Sequence, residues 1–79
     1  MEISFTKGDL VFDRQTKEVG LLYDRYNLVD NARPVWAWKI LWCGVTVTRW
    51  SRHSFWTEQG LANMVIDGVM TLYKFEKDV

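Results

Sequence analysis

The sequence is poor in the residues that support covalent, metal or phosphate chemistry. It contains one cysteine, Cys43, and one histidine, His53, among 79 residues. A single cysteine excludes an intramolecular disulfide and cannot supply the thiol cluster of a zinc site. The five glycines are scattered, so no glycine-rich phosphate loop is present. We therefore predict no metal ion and no cofactor.

Long apolar segments are also lacking. No run approaches the roughly 18 apolar residues that a bilayer-spanning helix needs. The chain opens with Met1-Glu2-Ile3-Ser4, without the basic and then apolar segments of a signal peptide. Together with the lone cysteine, these features predict a cytoplasmic protein without a membrane partner.

Acidic residues are missing from one long stretch, residues 31–57, which has four Lys or Arg side chains and a formal charge of +4. Residues 1–30 and 58–79 each carry −2, so the zero net charge conceals a polarised chain. All five tryptophans lie in the same basic stretch: Trp36, Trp38, Trp42, Trp50 and Trp56. This stretch is therefore the first candidate for a binding surface.

The length and the residue pattern predict one mostly β domain over residues 1–79. A chain this short buries only about 60–65% of its unfolded surface and cannot build two cores. Apolar residues recur mainly with a period of two. Predicted strands cover residues 10–12, 19–26, 35–43, 45–50 and 69–75, and residues 13–18, 27–34 and 51–54 are predicted loops.

The strongest pattern lies in the third predicted strand. Trp36, Trp38, Ile40 and Trp42 share one face, and the other face is also largely apolar. Such a strand is typical of the middle of a covered sheet. We predict that at least two of its three tryptophans belong to the core. Cys43-Gly44 is then predicted to be a tight turn that leads straight into residues 45–50 as an antiparallel hairpin.

A helix is predicted between the last two strands. Thr57 suits the N-cap, Leu61, Met64 and Val65 follow helical spacing, and Gly68 suits the position after the helix end. Five strands with one short helix before the last predict a five-stranded SH3-like small barrel. The alternative is an α+β fold, in which a curved antiparallel sheet carries a packed helix.

The chain also resembles the short SH3-like barrel proteins encoded by tailed bacteriophages. The pieces that carry the resemblance are Gly8-Asp9-Leu10-Val11, Val19-Gly20-Leu21-Leu22, the Trp-containing strand from Val35 to Trp42, and a last strand near the C-terminus. The resemblance implies the same fold and a viral origin, with the host cytoplasm as the location. It implies no activity.

Catalysis finds little support in the sequence. Cys43 would need a base to become a nucleophile, and His53 is the only histidine, but Cys43 lies at a predicted turn with no helix N-terminus to activate it. Carboxylate pairs such as Asp9 and Asp13 fall near turns, where Asp is favoured for local hydrogen bonding. We predict a protein that is not an enzyme.

Binding is the remaining class of function, and the predicted partner is a protein. Tryptophan and arginine are frequent interface hot spots. The predicted partner-binding residues are Arg49, Trp50, Arg52, His53 and Trp56, with Arg33 and Lys39 as contributors.

Three alternatives stay open. The same basic aromatic surface could bind single-stranded nucleic acid, although a sequence pI of about 6.5 is low for that function. The arginines could instead simply cover the tryptophan rings. A homodimer could bury the apolar surface that one small core cannot hide.

Overall fold

The computed structural model describes residues 3–30, 33–44 and 52–75. Within them lie five strands and one helix. The strands are β1 (Leu10–Asp13), β2 (Glu18–Asp30), β3 (Arg33–Gly44), β4 (Arg52–Thr57) and β5 (Met70–Tyr73), and helix α1 (Glu58–Ile66) joins β4 to β5.

All neighbouring strands are antiparallel and form one sheet in the order β4-β3-β2-β1-β5. The first strand therefore pairs with both the second and the last, while β2, β3 and β4 follow one another as a meander. Helix α1 spans from one edge strand to the other. The predicted mostly β fold, with five strands and one short helix before the last strand, is confirmed.

The β2-β3 hairpin is longer than the sequence pattern predicted. Residues 27–34 were predicted to be a loop, but β2 continues to Asp30 and β3 begins at Arg33. The strands pair continuously, apart from a register shift between Leu22 and Asp24. The loop prediction is wrong because polar residues here occupy a ribbon that extends past the other strands, where no core face imposes alternation.

The strand that pairs with the tryptophan strand β3 was also predicted at the wrong place in the sequence. Strand β3 pairs with β4, and the register sets Trp42 opposite Arg52 and Trp38 opposite Trp56. A tight turn at Cys43-Gly44 would instead have paired Trp42 with a residue close behind that turn. The predicted hairpin register is therefore wrong, and the predicted loop at 51–54 is wrong for residues 52–54, which belong to β4. Residues 45–51 themselves lie outside the described part of the chain.

The core lies between the inner face of the sheet and α1. Its fully buried side chains come from several elements: Val11, Leu22, Trp38, Ile40 and Leu61. Phe5, Trp42 and Met70 complete it. Because Trp38 and Trp42 are both buried, the prediction that at least two tryptophans of this strand are core is confirmed.

Trp36 follows the same strand alternation as Trp38 but is 42% exposed. It pairs with Asn27, beyond the point where β4 ends opposite Ala37. Within the described chain, residues 24–30 of β2 pair only with β3, and residues 33–36 of β3 pair only with β2; we call this two-stranded ribbon the arm. Trp36 belongs to the arm and so has no helix above it.

Helix α1 begins and ends at the predicted signals. The Thr57 hydroxyl accepts a hydrogen bond from the Gly60 N–H at 3.1 Å, as an N-cap does. At the other end the Val69 N–H donates to the Met64 carbonyl and the Gly68 N–H to the Val65 carbonyl. These two bonds form a Schellman motif, and Gly68 adopts the positive φ of 81° that this motif requires.

Replacing Thr57 by alanine is expected to lower the free energy of unfolding by about 1 kcal/mol, because an orphan N–H of the first helical turn loses its acceptor. Chemical denaturation followed by far-UV circular dichroism measures the change. Thr57→Ser keeps the hydroxyl and should stay close to wild type. Equal losses in both variants would show that the methyl group matters more than the cap.

Candidate aromatic interface

The outer face of the β2-β3-β4 sheet, opposite the core, carries a group of aromatic side chains. We define the aromatic face by Tyr23, Tyr26, Lys39, His53 and Phe55. Strand pairing aligns them: Lys39 lies opposite Phe55 on one side and Asp24 on the other, and His53 lies opposite Leu41. Phe55 is 64% exposed, and His53 is also exposed.

Two edge-to-face ring pairs build the aromatic face. The rings of Tyr26 and Phe55 are 6.2 Å apart at 89°, and those of Tyr23 and His53 are 5.8 Å apart at 75°. Both separations lie in the range of favourable aromatic pairs. Tyr26 and Phe55 belong to strands on either side of β3, so small Ala37 between them is buried although it points outward.

Polar groups on the aromatic face engage one another. The Tyr23 hydroxyl lies 2.9 Å from Nδ1 of His53, within hydrogen-bond distance. The Lys39 ammonium lies 3.7 Å from Oδ2 of Asp24 and 5.6 Å from the centre of the Tyr26 ring. An ion pair at the surface adds little to stability. Its main effect here is to neutralise the lysine charge locally and to hold the ammonium near the rings.

A bulge in β2 is what places both tyrosines on this face. Register shifts between Leu22 and Asp24, so Tyr23 is an extra residue without a direct partner on β3. Regular alternation would put Tyr23 and Tyr26, three residues apart, on opposite faces. The bulge changes the phase of the strand, and the two rings reach the same side of the sheet.

On the inner side of the arm, Glu58 links the helix to the strands. One carboxylate oxygen of Glu58 accepts hydrogen bonds from the Trp38 indole N–H at 3.0 Å and from Nε of Arg25 at 3.2 Å. The Arg25 guanidinium also lies over the Trp36 ring, 3.9 Å from its centre. This network fixes the base of the arm against the first turn of α1.

The predicted binding residues do not all come together. Lys39 and His53 lie on the aromatic face. Trp56 lies on the opposite face of β4, half-buried and packed against the core. Arg33 is exposed at the start of β3, about 20 Å along the strand from Lys39. Arg52 begins β4 opposite Trp42, and Arg49 and Trp50 lie outside the described residues.

Three aromatic residues of this face were missed from the sequence: Tyr23, Tyr26 and Phe55. The alternation of His53, Phe55 and Thr57 would have indicated the outward face of a strand, but His53 was assigned to a loop and Thr57 to the helix N-cap. The tyrosines gave no usable signal, because only the bulge brings them together.

Among the described residues, no three His, Cys, Asp or Glu side chains gather closely enough to hold a metal ion. The one helix in that part of the chain is too short to cross a membrane. Comparisons with protein-family models, with curated proteins and with solved structures find no match to this chain.

Proposed function

We propose that this protein is a non-catalytic accessory module that binds a protein partner through the aromatic face. The observation that carries the proposal is the exposure of Phe55, which is 64% accessible while its ring already packs edge-to-face with the Tyr26 ring. An aromatic side chain that is both exposed and oriented loses little conformational freedom when a partner covers it. Such rigid aromatic residues are typical anchors of protein interfaces.

The surroundings of Phe55 support a protein partner more than a nucleic acid. The face lies on three paired strands, and its lysine already has the Asp24 carboxylate as a counter-charge. Binding to single strands relies on a positive groove that follows the phosphates, and each phosphate contact needs an available cation. A mixed aromatic and polar surface of low net charge is instead typical of protein interfaces.

A non-catalytic role agrees with how the polar groups are used. Tyr23 is engaged with His53 and Lys39 with Asp24, so the side chains of the face are directed at one another. A catalytic site needs a nucleophile, a base and an orienting group converging on a substrate position. The resemblance to short SH3-like phage proteins supports a location in the cytoplasm of an infected bacterium.

The test is affinity capture from a bacterial cell extract with wild-type protein, Phe55→Ala and Tyr73→Ala, quantified by mass spectrometry. Tyr73 is the matched control, because it is a 55% exposed aromatic residue on β5, away from the face. Truncating an interface anchor costs about 2 kcal/mol or more, so Phe55→Ala should reduce recovery of the partner more than tenfold. Tyr73→Ala should leave recovery unchanged. Equal recovery by all three proteins would contradict the proposal.

Nucleic-acid binding is the competing outcome and has its own measurement. The protein is titrated with labelled oligo-dT and oligo-rU at low and moderate salt, and tryptophan fluorescence is followed. We expect no response, because the aromatic face offers too little uncompensated positive charge. Quenching that weakens steeply with salt and disappears in Lys39→Ala would replace the protein partner by a single strand.

A further inference from the structure

The arm has one edge whose backbone groups point away from the protein. The Leu22 N–H donates to the Asp9 carbonyl and its C=O accepts from the Gly8 N–H, so Leu22 and its opposite residue Ile40 do not exchange hydrogen bonds. Hydrogen-bonded and non-hydrogen-bonded pairs alternate along an antiparallel ladder, so counting along β3 from Ile40 tells which pairs of the arm exchange hydrogen bonds. The residues of β2 that direct their N–H and C=O outward are Arg25, Asn27 and Val29.

The position of proline supports this assignment. Pro34 lies opposite Val29, at a pair that the pattern makes non-hydrogen-bonded, and proline has no N–H to donate. Pro34 also interrupts the other edge of the arm, since its missing N–H would have pointed outward from β3. Within the described residues, the β2 edge of the arm therefore has all of its outward backbone groups, three N–H donors and three C=O acceptors, whereas the β3 edge lacks the N–H of Pro34.

Such an edge is a template for another strand. The arm also exposes apolar side chains on both of its faces: Leu28 is 42% and Val29 78% exposed. A two-stranded ribbon is only marginally stable in water. A third strand along this edge would satisfy the outward backbone groups and cover these side chains.

We propose that this edge pairs with the same edge of a second copy of the chain, giving a twofold-symmetric dimer with a continuous antiparallel sheet. An edge of this kind is complementary to itself, because antiparallel pairing about a twofold axis matches each N–H to a C=O. Isologous twofold dimers are the commonest assemblies of identical chains. Symmetry requires that one residue of β2 lies opposite itself, which leaves few registers to consider.

Each register has a centre, the residue of β2 that lies opposite its own copy across the twofold axis. Repulsion between like charges and steric overlap exclude the registers centred near the base of the arm. Centres at Asp24 or Arg25 place two like charges directly opposite each other, which is destabilising. A centre at Tyr26 would place residue 30 of the second copy beside Leu22, where residues 8 and 9 already bond. A centre at Asn27 sets residue 24 opposite residue 30, and both are aspartates.

A centre at Leu28 remains and has favourable chemistry. It places Leu28 opposite Leu28 of the second copy, so two exposed apolar side chains cover each other. Asn27 lies opposite Val29 of the second copy, and these outward-pointing residues exchange hydrogen bonds on both sides of the axis. With the centre at Val29, only the two copies of Val29 would exchange hydrogen bonds within the strands. The pairing uses the edge of β2 alone, so Phe55 and His53 on β4 take no part in it.

The first test measures mass in solution by light scattering over a range of protein concentrations. Wild type should approach twice the monomer mass at high concentration. Leu28→Lys, which opposes two lysines at an exposed position, and Asn27→Pro, which removes an outward N–H, should both remain monomeric. Asn27→Thr keeps that N–H and should dimerise. Monomeric wild type at the highest concentration would overturn the proposal, as would a dimer that persists in Leu28→Lys.

The second test locates the register by crosslinking in a Cys43→Ser background. Residues opposite each other in a non-hydrogen-bonded pair have Cα atoms about 4.5 Å apart, within the range of a disulfide. Leu28→Cys should therefore form a covalent dimer under mild oxidation. Tyr26→Cys is the control, because its two copies would be offset by four residues, or about 13 Å. Crosslinking at 26 and not at 28 would overturn the proposed pairing.

Discussion

Replacing Asp9 by alanine is expected to lower the free energy of unfolding by about 3–5 kcal/mol, the largest effect that we expect of a polar substitution in the described part of the chain. The Asp9 side chain is fully buried, and it is the only buried polar or charged residue in the described part of the chain. Its carboxylate accepts three hydrogen bonds of 2.7 Å, from the N–H of Thr6, the N–H of Phe75 and the ammonium of Lys74.

These bonds connect the two ends of the chain. Lys74 also donates to the Ser4 carbonyl at 3.1 Å and to the Thr6 hydroxyl at 3.2 Å. Residues 4–9 are thereby held against residues 74 and 75, which follow the last strand. Without the carboxylate, two backbone N–H groups and one partly buried ammonium would lose their acceptor, and each unsatisfied group costs about 1–3 kcal/mol or more.

Urea denaturation of Asp9→Ala, followed by tryptophan fluorescence, measures this loss. Asp24→Ala is the matched control, because Asp24 also forms an ion pair with a lysine but is half exposed. That exposed pair should contribute at most about 1 kcal/mol. Lys74→Met reports on the ammonium alone and should lose less than Asp9→Ala. If Asp9→Ala were as stable as Asp24→Ala, the buried carboxylate would not organise this end of the fold.

Replacing Gly20 by alanine is expected to lower the free energy of unfolding by about 1–3 kcal/mol, because the added methyl group overpacks the core. A Cβ atom at this position would lie 2.6 Å from Cγ2 of Ile40 and 2.9 Å from Cζ3 of Trp42. Both neighbours are buried, and the Trp42 indole N–H is held by the Ser54 hydroxyl at 2.6 Å. Neither side chain can move away without disturbing the core.

Gly44→Ala provides the control for Gly20→Ala. Gly44 also lies in a strand, but a Cβ there would be no closer than 3.6 Å to Glu18, an ordinary contact. The substitution should be neutral or slightly stabilising, because alanine has less freedom in the unfolded chain. Thermal unfolding compares the two variants, and near-UV circular dichroism reports on the packing of Trp42. Equal stability would mean that the core relaxes around the methyl group.

Most of the fold was predictable because local rules and tertiary structure agree there. The cap at Thr57 and the positive φ at Gly68 follow from side-chain chemistry and backbone geometry that act over a few residues. The burial of Trp38 and Trp42 follows from strand alternation. A glycine within an apolar strand is typical of a bulge or a close approach, and Gly20 faces the bulky side chains of Ile40 and Trp42.

The candidate site was predicted less well, because its assembly depends on strand register. Lys39 and His53 were identified, but Trp56 was grouped with His53 although the two lie three positions apart on one strand and therefore on opposite faces. Tyr23 and Tyr26 were not identified at all. Their shared face depends on one extra residue in β2, and no property of either tyrosine signals that insertion.

By itself, the sequence determined the number of strands, the place of the helix and the burial of at least two tryptophans of the third strand, since the period of apolar residues and the capping signals are local. Only the tertiary structure decided that the β2-β3 hairpin projects as an arm, that β4 is residues 52–57, and that four aromatic rings gather on the outer face. Those features depend on which backbone groups pair across the sheet. Pairing is chosen by the energy of the whole fold, and a shift of one residue reverses every face.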